Sequence, residues 1–346
     1  MKSSKLPKVV LYFCLFVALC HKSHAQCHDT LRVAFWNLEN FFDTFVDSTR
    51  KYNEFTASGS NRWTPSRFYK KRNNIYKTLL HLSQGKALAL LGVAEVENEY
   101  VLNRIFYDTP LKIFNYRYVL YESEDSRGID VALVYCMDKL QLVYSEAIPL
   151  NDGVERTVSR DILYAVFSDR KGDTLHCFVN HWPSRYGGEM ETINKRALAA
   201  RVLRHRIDSL ISLPRTVPKI IIMGDFNDTP DDDSIYKVLK AKSLNSLSKD
   251  DILVNLFTKS EDLGFEGTLK HQYRWQIFDQ IIISSSLLYD ENELHYIKGS
   301  AAIFHTDYLF VKDETYGGLK LYRTYSGPKY HGGFSDHLPV YMDLAK

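Results

Sequence analysis

The sequence predicts a mixed α/β sandwich, on two observations. Short apolar, β-branched runs at 31–35, 87–93, 131–135, 163–167, 174–179, 220–223 and 278–283 read as strands. They outnumber the helical patterns and do not alternate with them one for one, as a doubly wound parallel sheet would require, so packed sheets with helices outside are the better match. The second observation concerns the strand ends. Asn37 and Glu39, then Glu95, then Asn180 and His181, then Asp225 and Asn227 each come directly after an apolar run. Strand ends on one side of packed sheets bring distant residues into a single cleft.

In chain order, the first 25 residues carry Lys2, Lys5 and Lys8, an apolar run at 9–20 and then Ser23, His24 and Ala25, the pattern of a secretory signal peptide. A membrane-spanning helix needs about 20 apolar residues. This run stops short, so no stable membrane span is expected. Leu19 is bulky for the residue before a lipidated cysteine, which leaves anchoring at Cys20 a minor alternative. No Pro/Gly/Ser-rich linker, repeat or low-complexity stretch divides residues 26–346, which read as one domain of a secreted or periplasmic monomer. Pro65 at the first turn, with Thr64 as cap, opens a helix predicted over 65–82. A second helix, over 191–213, repeats Ile193, Ala197, Ala200, Leu203, Ile207 and Leu210 at three-to-four spacing. Gly224 after the 220–223 run permits a tight turn that projects Asp225 and Asn227 to the same side.

The 44 Lys+Arg nearly balance the 42 Asp+Glu. Lys2, Lys5, Lys8 and Lys22 all lie in the predicted signal, so losing these four charges turns the formal +2 of the chain into −2. That balance excludes a polyanion scaffold driven by net charge, and any nucleic-acid contact must come from a local patch. Of the five cysteines, Cys27, Cys136 and Cys177 remain after export, an odd number that excludes a fully paired framework. Cys136 and Cys177 sit in strand-like apolar runs that suit buried thiols, while a single disulfide among the three stays open.

A hard divalent cation takes oxygen ligands. Asn37, Glu39, Glu95, Asp225, Asn227 and Asp336 supply them without the thiolates or paired imidazoles of zinc sites. Singly, each also reads as a cap or turn residue, and 224–228 reads as an Asx turn closing a strand. His181 lies near Ser184 and Arg185, donors suited to phosphate oxygens. His337 ionises near neutrality, so it can take a proton from water or give one to a leaving group, with Asp279 as its orienting carboxylate.

Asn37, Glu95, His181, the 224–227 segment, Asp279 and the 335–337 segment, in this order and spread along the chain, resemble the endonuclease/exonuclease/phosphatase superfamily of deoxyribonuclease-like phosphoesterases. The resemblance spans essentially all of residues 26–346. It implies a four-layer sandwich, two packed mixed β-sheets flanked by helices, with the site in a cleft at one edge. It implies Mg2+ as cofactor, with Mn2+ or Ca2+ as substitutes, held by Asn37 and Glu95 with Glu39 and Asp336 close by. Asp225 and Asn227 look like the pair that orients the attacking water and the scissile phosphate. His181 looks like the phosphate-stabilising or acid histidine, and His337 with Asp279 looks like a dyad that either activates water or binds phosphate. Arg127 resembles a phosphate-contacting position and reads equally as a turn residue; Ser184, Arg185 and Asp130 are further candidates on the substrate side. Charge neutralisation and in-line positioning suffice for phosphoryl transfer, and no covalent nucleophile is needed.

A shared site does not name a substrate. Specificity is left to loops at 43–63, 186–191 and 316–333, where Tyr322, Arg323, Tyr325, Lys329 and Tyr330 interleave as base stacking would require. Packing against a lipid head group or supporting the loop would use the same residues. A secreted nuclease acting on DNA or RNA is the first expectation, by analogy. A phospholipase C-like enzyme, a sphingomyelinase or a sugar-phosphate phosphoesterase is the alternative. A silent binding protein is disfavoured because no expected carboxylate or histidine is missing.

Overall fold

The computed structural model describes residues 30–46, 52–170, 172–212, 217–289 and 293–346, so the predicted signal peptide and Cys27 lie outside the described residues. Two mixed sheets form the centre. The first runs His295–Tyr296, Val340–Ala345, Leu31–Phe41, Leu90–Val96, Asp130–Cys136 and Tyr116–Leu120, with Ala302–Ile303 also pairing Val340–Ala345. The second runs Leu140–Ile148, Ile162–Asp169, Thr174–His181, Lys219–Asp225, Asp279–Ser284, Leu253–Asn255 and Ala241–Ser243. Each sheet holds one central parallel pair, Leu31–Phe41 with Leu90–Val96 and Thr174–His181 with Lys219–Asp225.

Strand alternation divides the apolar residues between layers. Leu31–Phe41 turns Val33 and Phe35 to the space between the sheets, and Ala34, Trp36 and Leu38 to the helices Pro65–Leu82 and Glu99–Phe106. Lys219–Asp225 sends Ile221 and Met223 between the sheets, and Ile220 and Ile222 toward the helix Glu189–Ile211. Both faces being buried, these strands read as unbroken apolar runs rather than alternating ones. The result is helix, sheet, sheet, helix, the four-layer sandwich expected.

Several expectations shift in detail. Thr64 takes the N-cap position with extended backbone, yet its side chain makes no cap hydrogen bond. The helix predicted over 191–213 is Glu189–Ile211, and its buried stripe runs through Leu198, Val202, Leu203 and Ile207, leaving Ile193 39% exposed. Cys136 and Cys177 are buried free thiols in different layers, which excludes a disulfide between them. Among the described residues no helix is long and apolar enough to cross a membrane.

Gly92 marks a close approach of the two sheets. A Cβ there would lie 2.7 Å from Met223 Sδ and 3.0 Å from Phe35 Cδ2. Gly92→Ala is expected to destabilise the fold by about 1–3 kcal/mol through overpacking, seen as a lower denaturant midpoint at unchanged slope.

Candidate active site at the sheet edges

The C-terminal ends of the two central parallel pairs meet at one edge, where the antiparallel strand Asp279–Ser284 begins: His181, Asp225 and Asp279 sit in register across three neighbouring strands. Asn37 and Glu95 come from the matching edge of the other sheet, Asn37 lying opposite Ala94. The strand registers shift between Asn37 and Phe41 and between Ala94 and Val96, irregularities that re-aim side chains at a sheet end. Glu39, Glu95 and Asn227 adopt left-handed backbone with φ of 52°, 60° and 51°, a strained conformation for non-glycine residues and one concentrated at functional sites. Gly224 is part of its strand rather than a turn. Its role is close approach, since a Cβ would meet the Asn180 carbonyl oxygen at 2.3 Å.

Hydrogen bonds tie the cluster together. Asn37 Nδ2 donates to Asp225 Oδ2 at 3.0 Å and to Glu95 Oε1 at 3.3 Å, holding two carboxylates near one another. His181 Nε2 lies 3.7 Å from Asp225 Oδ2 and 3.8 Å from Glu95 Oε1. His337 Nδ1 pairs with Asp279 Oδ2 at 2.7 Å and turns Nε2 toward the same Asp225 oxygen, 3.7 Å away. The His337 backbone is fixed by its N–H to Ser335 Oγ and its carbonyl from Trp36 Nε1, while Ser335 Oγ donates to the Asn37 carbonyl. Asn227 donates its N–H to Asp225 Oδ1 and its Nδ2 to the Trp182 carbonyl, an Asx turn in place.

The two histidines are pushed apart. Burial, then the charges of Arg160, Arg127 and His337, hold His181 well below the usual histidine range, so it is neutral at pH 7; its Nδ1 has no partner among the described residues. Burial also opposes charge on His337, but Asp279 and Asp225 together outweigh it and lift the imidazole well above its ordinary value. Burial raises the Asp225 carboxyl to about 6, against His337 and with Asp279. Groups driven to opposite protonation states in one pocket are the signature of acid and base roles.

Glu95 is the accessible oxygen donor of this cluster, its side chain 14% exposed, with the Asn37 amide and Asp225 alongside. One or two carboxylates plus water suit a hard cation such as Mg2+, so these residues fit one. Asp225, Asp279 and His337 also converge closely enough to share an ion. His337 is already bonded to Asp279 and favours its charged form, which cannot ligate, so Glu95 is the better ligand; Asn37, expected beside it as a second one, turns Nδ2 to Glu95 and Asp225 and accepts the Glu39 N–H at Oδ1, and so orients the carboxylates. Glu39 and Asp336, expected beside the cation, are held otherwise. Glu39 accepts from Thr324 N–H, Tyr325 N–H and Arg323 Nε, and Asp336 pairs with Arg323 at 2.8 Å.

The substrate-side candidates separate in the same way. Arg127 and Ser184 line a cleft of about 460 Å³ with Tyr52, Glu54, Lys195 and Tyr186. Arg185 does not reach it freely: its guanidinium meets the Asn227 carbonyl, Asp228, Asp232 and Glu189 and lies over the Phe278 ring, which makes it a strut under the 227–232 turn. Tyr325 packs edge-on against Phe55 and Tyr330 and bonds the Asn61 carbonyl, so this aromatic supports its loop rather than offering a free face. Arg160 was not anticipated. It is 5% exposed, pairs with Asp125, donates to the Trp182 carbonyl beside His181, and also lines the cleft. Neither His181 nor His337 lines the cleft; both are buried, and Arg160 links the cleft to the Trp182 carbonyl next to His181.

Asp130, a further substrate-side candidate, is 3% exposed and accepts from Ser123 N–H. Burial pushes its carboxyl up to about 6. A raised carboxyl contributes stability below the unfolded pKa near ~4 and loses it as pH rises through the folded value. Asp130→Asn is therefore expected to raise Tm at about pH 7.5 and to change it little at about pH 4; equal shifts at both would show that the charge is not what costs stability.

The family model described as "Endonuclease/Exonuclease/phosphatase family" matches residues 32–346. No curated protein sequence matches the chain. Among solved structures, the Bacteroides thetaiotaomicron mannosyl-6-phosphatase Bt3783 is similar at 17% identity and TM-score 0.58, over 91% of this chain and 100% of that one. A humanized D. rerio TDP2 carrying 14 mutations aligns at 14% identity and TM-score 0.55, over 92% and 99%. The human Nocturnin catalytic domain aligns at 15% identity and TM-score 0.52, over 92% and 95%. At such identities these neighbours establish the fold, and the family match over nearly the whole chain establishes the membership: this chain belongs to the endonuclease/exonuclease/phosphatase family.

Proposed function

We propose that the chain is an exported, divalent-cation-dependent phosphoesterase, with Mg2+ as the first choice of ion, that hydrolyses a phosphate ester by direct attack of water. The observation that carries this reading is the convergence of Glu95, Asn37, His181, Asp225 and the His337–Asp279 dyad on one edge of the two sheets. A cation held by Glu95, which the Asn37 amide orients, would supply Lewis-acid neutralisation of phosphoryl charge. Asp225 and Asn227 orient the attacking water. His337, held charged, presents a proton at Nε2 to a phosphate or leaving oxygen, and neutral His181 adds a hydrogen bond from the other side.

For the substrate, a small phosphate ester is favoured over nucleic acid. The clefts beside the site measure about 460 and 560 Å³, the size of small-molecule pockets. Their cations Arg127, Arg160, Lys195 and Arg323 are nearly matched by Glu39, Glu54 and Asp125, whereas a polyanion track needs an excess of positive charge. Nucleic acid is the second reading, favoured by Tyr186, which stands 92% exposed where the two clefts meet and could stack a base.

The test is hydrolysis by the purified chain of a sugar phosphate, a chromogenic phosphodiester, sphingomyelin, RNA and plasmid DNA, each with Mg2+ and with EDTA. EDTA-sensitive turnover of the small esters with intact DNA is expected. Nicking of the plasmid at comparable efficiency moves the substrate to nucleic acid, and no EDTA-sensitive turnover of any substrate sinks the phosphoesterase reading. Export is checked by the N-terminus of the protein recovered outside the cytoplasm, expected at Gln26.

A further inference from the structure

The carboxylates around this site fall into two groups. Glu39, 3% exposed, is held by fixed cations of the chain itself. Lys71 enters from the helix Pro65–Leu82, is 1% exposed, and donates to the Glu39 carbonyl and to Thr324 Oγ1 at 2.5 Å each, with Glu39 Oε2 3.7 Å away. Arg323 lies between Glu39 and Asp336, its Nε 3.2 Å from Glu39 Oε1 and its Nη2 2.8 Å from Asp336 Oδ2. Glu95 and Asp225 form the other group. Among the described residues neither has a lysine or arginine within ion-pair distance; they meet the Asn37 amide and the imidazoles instead.

A buried ammonium is unfavourable unless its charge is matched and its protons are accepted. Anchoring the 323–325 backbone to Glu39 needs only the two N–H donors of Thr324 and Tyr325, so those contacts do not account for Lys71 and Arg323. Charge does: two cations stand against the carboxylates Glu39 and Asp336, and Glu95 with Asp225 leaves the two negative charges that one divalent ion neutralises. We propose that Lys71 and Arg323 are built-in counter-cations that take the place of a second divalent ion at Glu39 and Asp336. The chain then binds a single divalent cation, at Glu95, and the Glu39–Asp336 pair becomes a cation site only when Lys71 or Arg323 loses its charge. This inference rests on the cation-dependent reading above.

The experiment is titration of the purified chain with Mn2+, following free Mn2+ by electron paramagnetic resonance and Tm in parallel. The wild-type chain is expected to bind one Mn2+. Arg323→Gln, altering a side chain 43% exposed, is expected to bind two and to gain a Mn2+-dependent rise in Tm larger than that of the wild type. Lys71→Met is expected to melt lower without Mn2+ and to recover with it; should it fail to fold, Arg323→Gln decides. Two ions on the wild type overturn the inference, as does Arg323→Gln remaining at one. No ion on the wild type overturns the cation-dependent reading itself, a result distinct from both.

Discussion

Glu95→Gln is expected to lower kcat/KM by about 10²- to 10³-fold, the scale of removing one charge-stabilising group from a phosphoryl or acyl transfer site. It is also expected to raise the cation concentration needed for half-maximal activity. The exchange is nearly isosteric and keeps a carbonyl oxygen for Asn40 N–H, which donates to Glu95 Oε2 at 2.7 Å. What it removes is one of the two charges left without a lysine or arginine, so the fold gains or holds stability while the chemistry suffers, the usual relation between active-site polar groups and the native state. The decisive readout is the cation titration. If the half-saturating concentration does not move, Glu95 is not a ligand and its effect on rate comes from its hydrogen bond with Asn37 and its charge beside His181.

The site was legible wherever its residues come directly after apolar strands. Asn37, Glu95, His181, Asp225 and Asn227 were found that way, and the structure gathers them with Asp279 and His337 as the ordered motifs implied. What the pattern could not show is which acids already have partners. Lys71 looks like any lysine in an amphipathic helix, and its burial is decided only by where that helix docks. Arg185 looks available beside His181, but its acceptors Asp228 and Asp232 are more than forty residues away in sequence. Arg160 had a usable signal, since it precedes a predicted strand as the acids succeed theirs; asking for cations at both ends of the strands would have found it. Of the fold, the edge strand Leu140–Ile148 escaped notice because its mostly half-exposed residues blur the alternation. The C-terminal Val340–Ala345 alternates clearly but is short.

Asp279→Asn is expected to reduce kcat by about 10²- to 10⁴-fold, the range associated with losing a positioned acid or base, although Asp279 never touches the substrate. Asp279 is fully buried and accepts from His337 Nδ1 at 2.7 Å, so it fixes both the orientation and the charge of the ring. An asparagine of the same shape can still receive that hydrogen bond, but it withdraws the negative charge that, with Asp225, keeps the imidazole protonated against its burial. The pH profile separates the two roles open to His337. A ring that works in its charged form loses its proton at lower pH in the variant, so the alkaline limb of activity moves down and the loss is smallest on the acid side. A ring that works as a neutral base would respond in the opposite sense, with the acid limb extending to lower pH. A uniform loss at all pH values would instead mean that Asp279 acts through ring position alone.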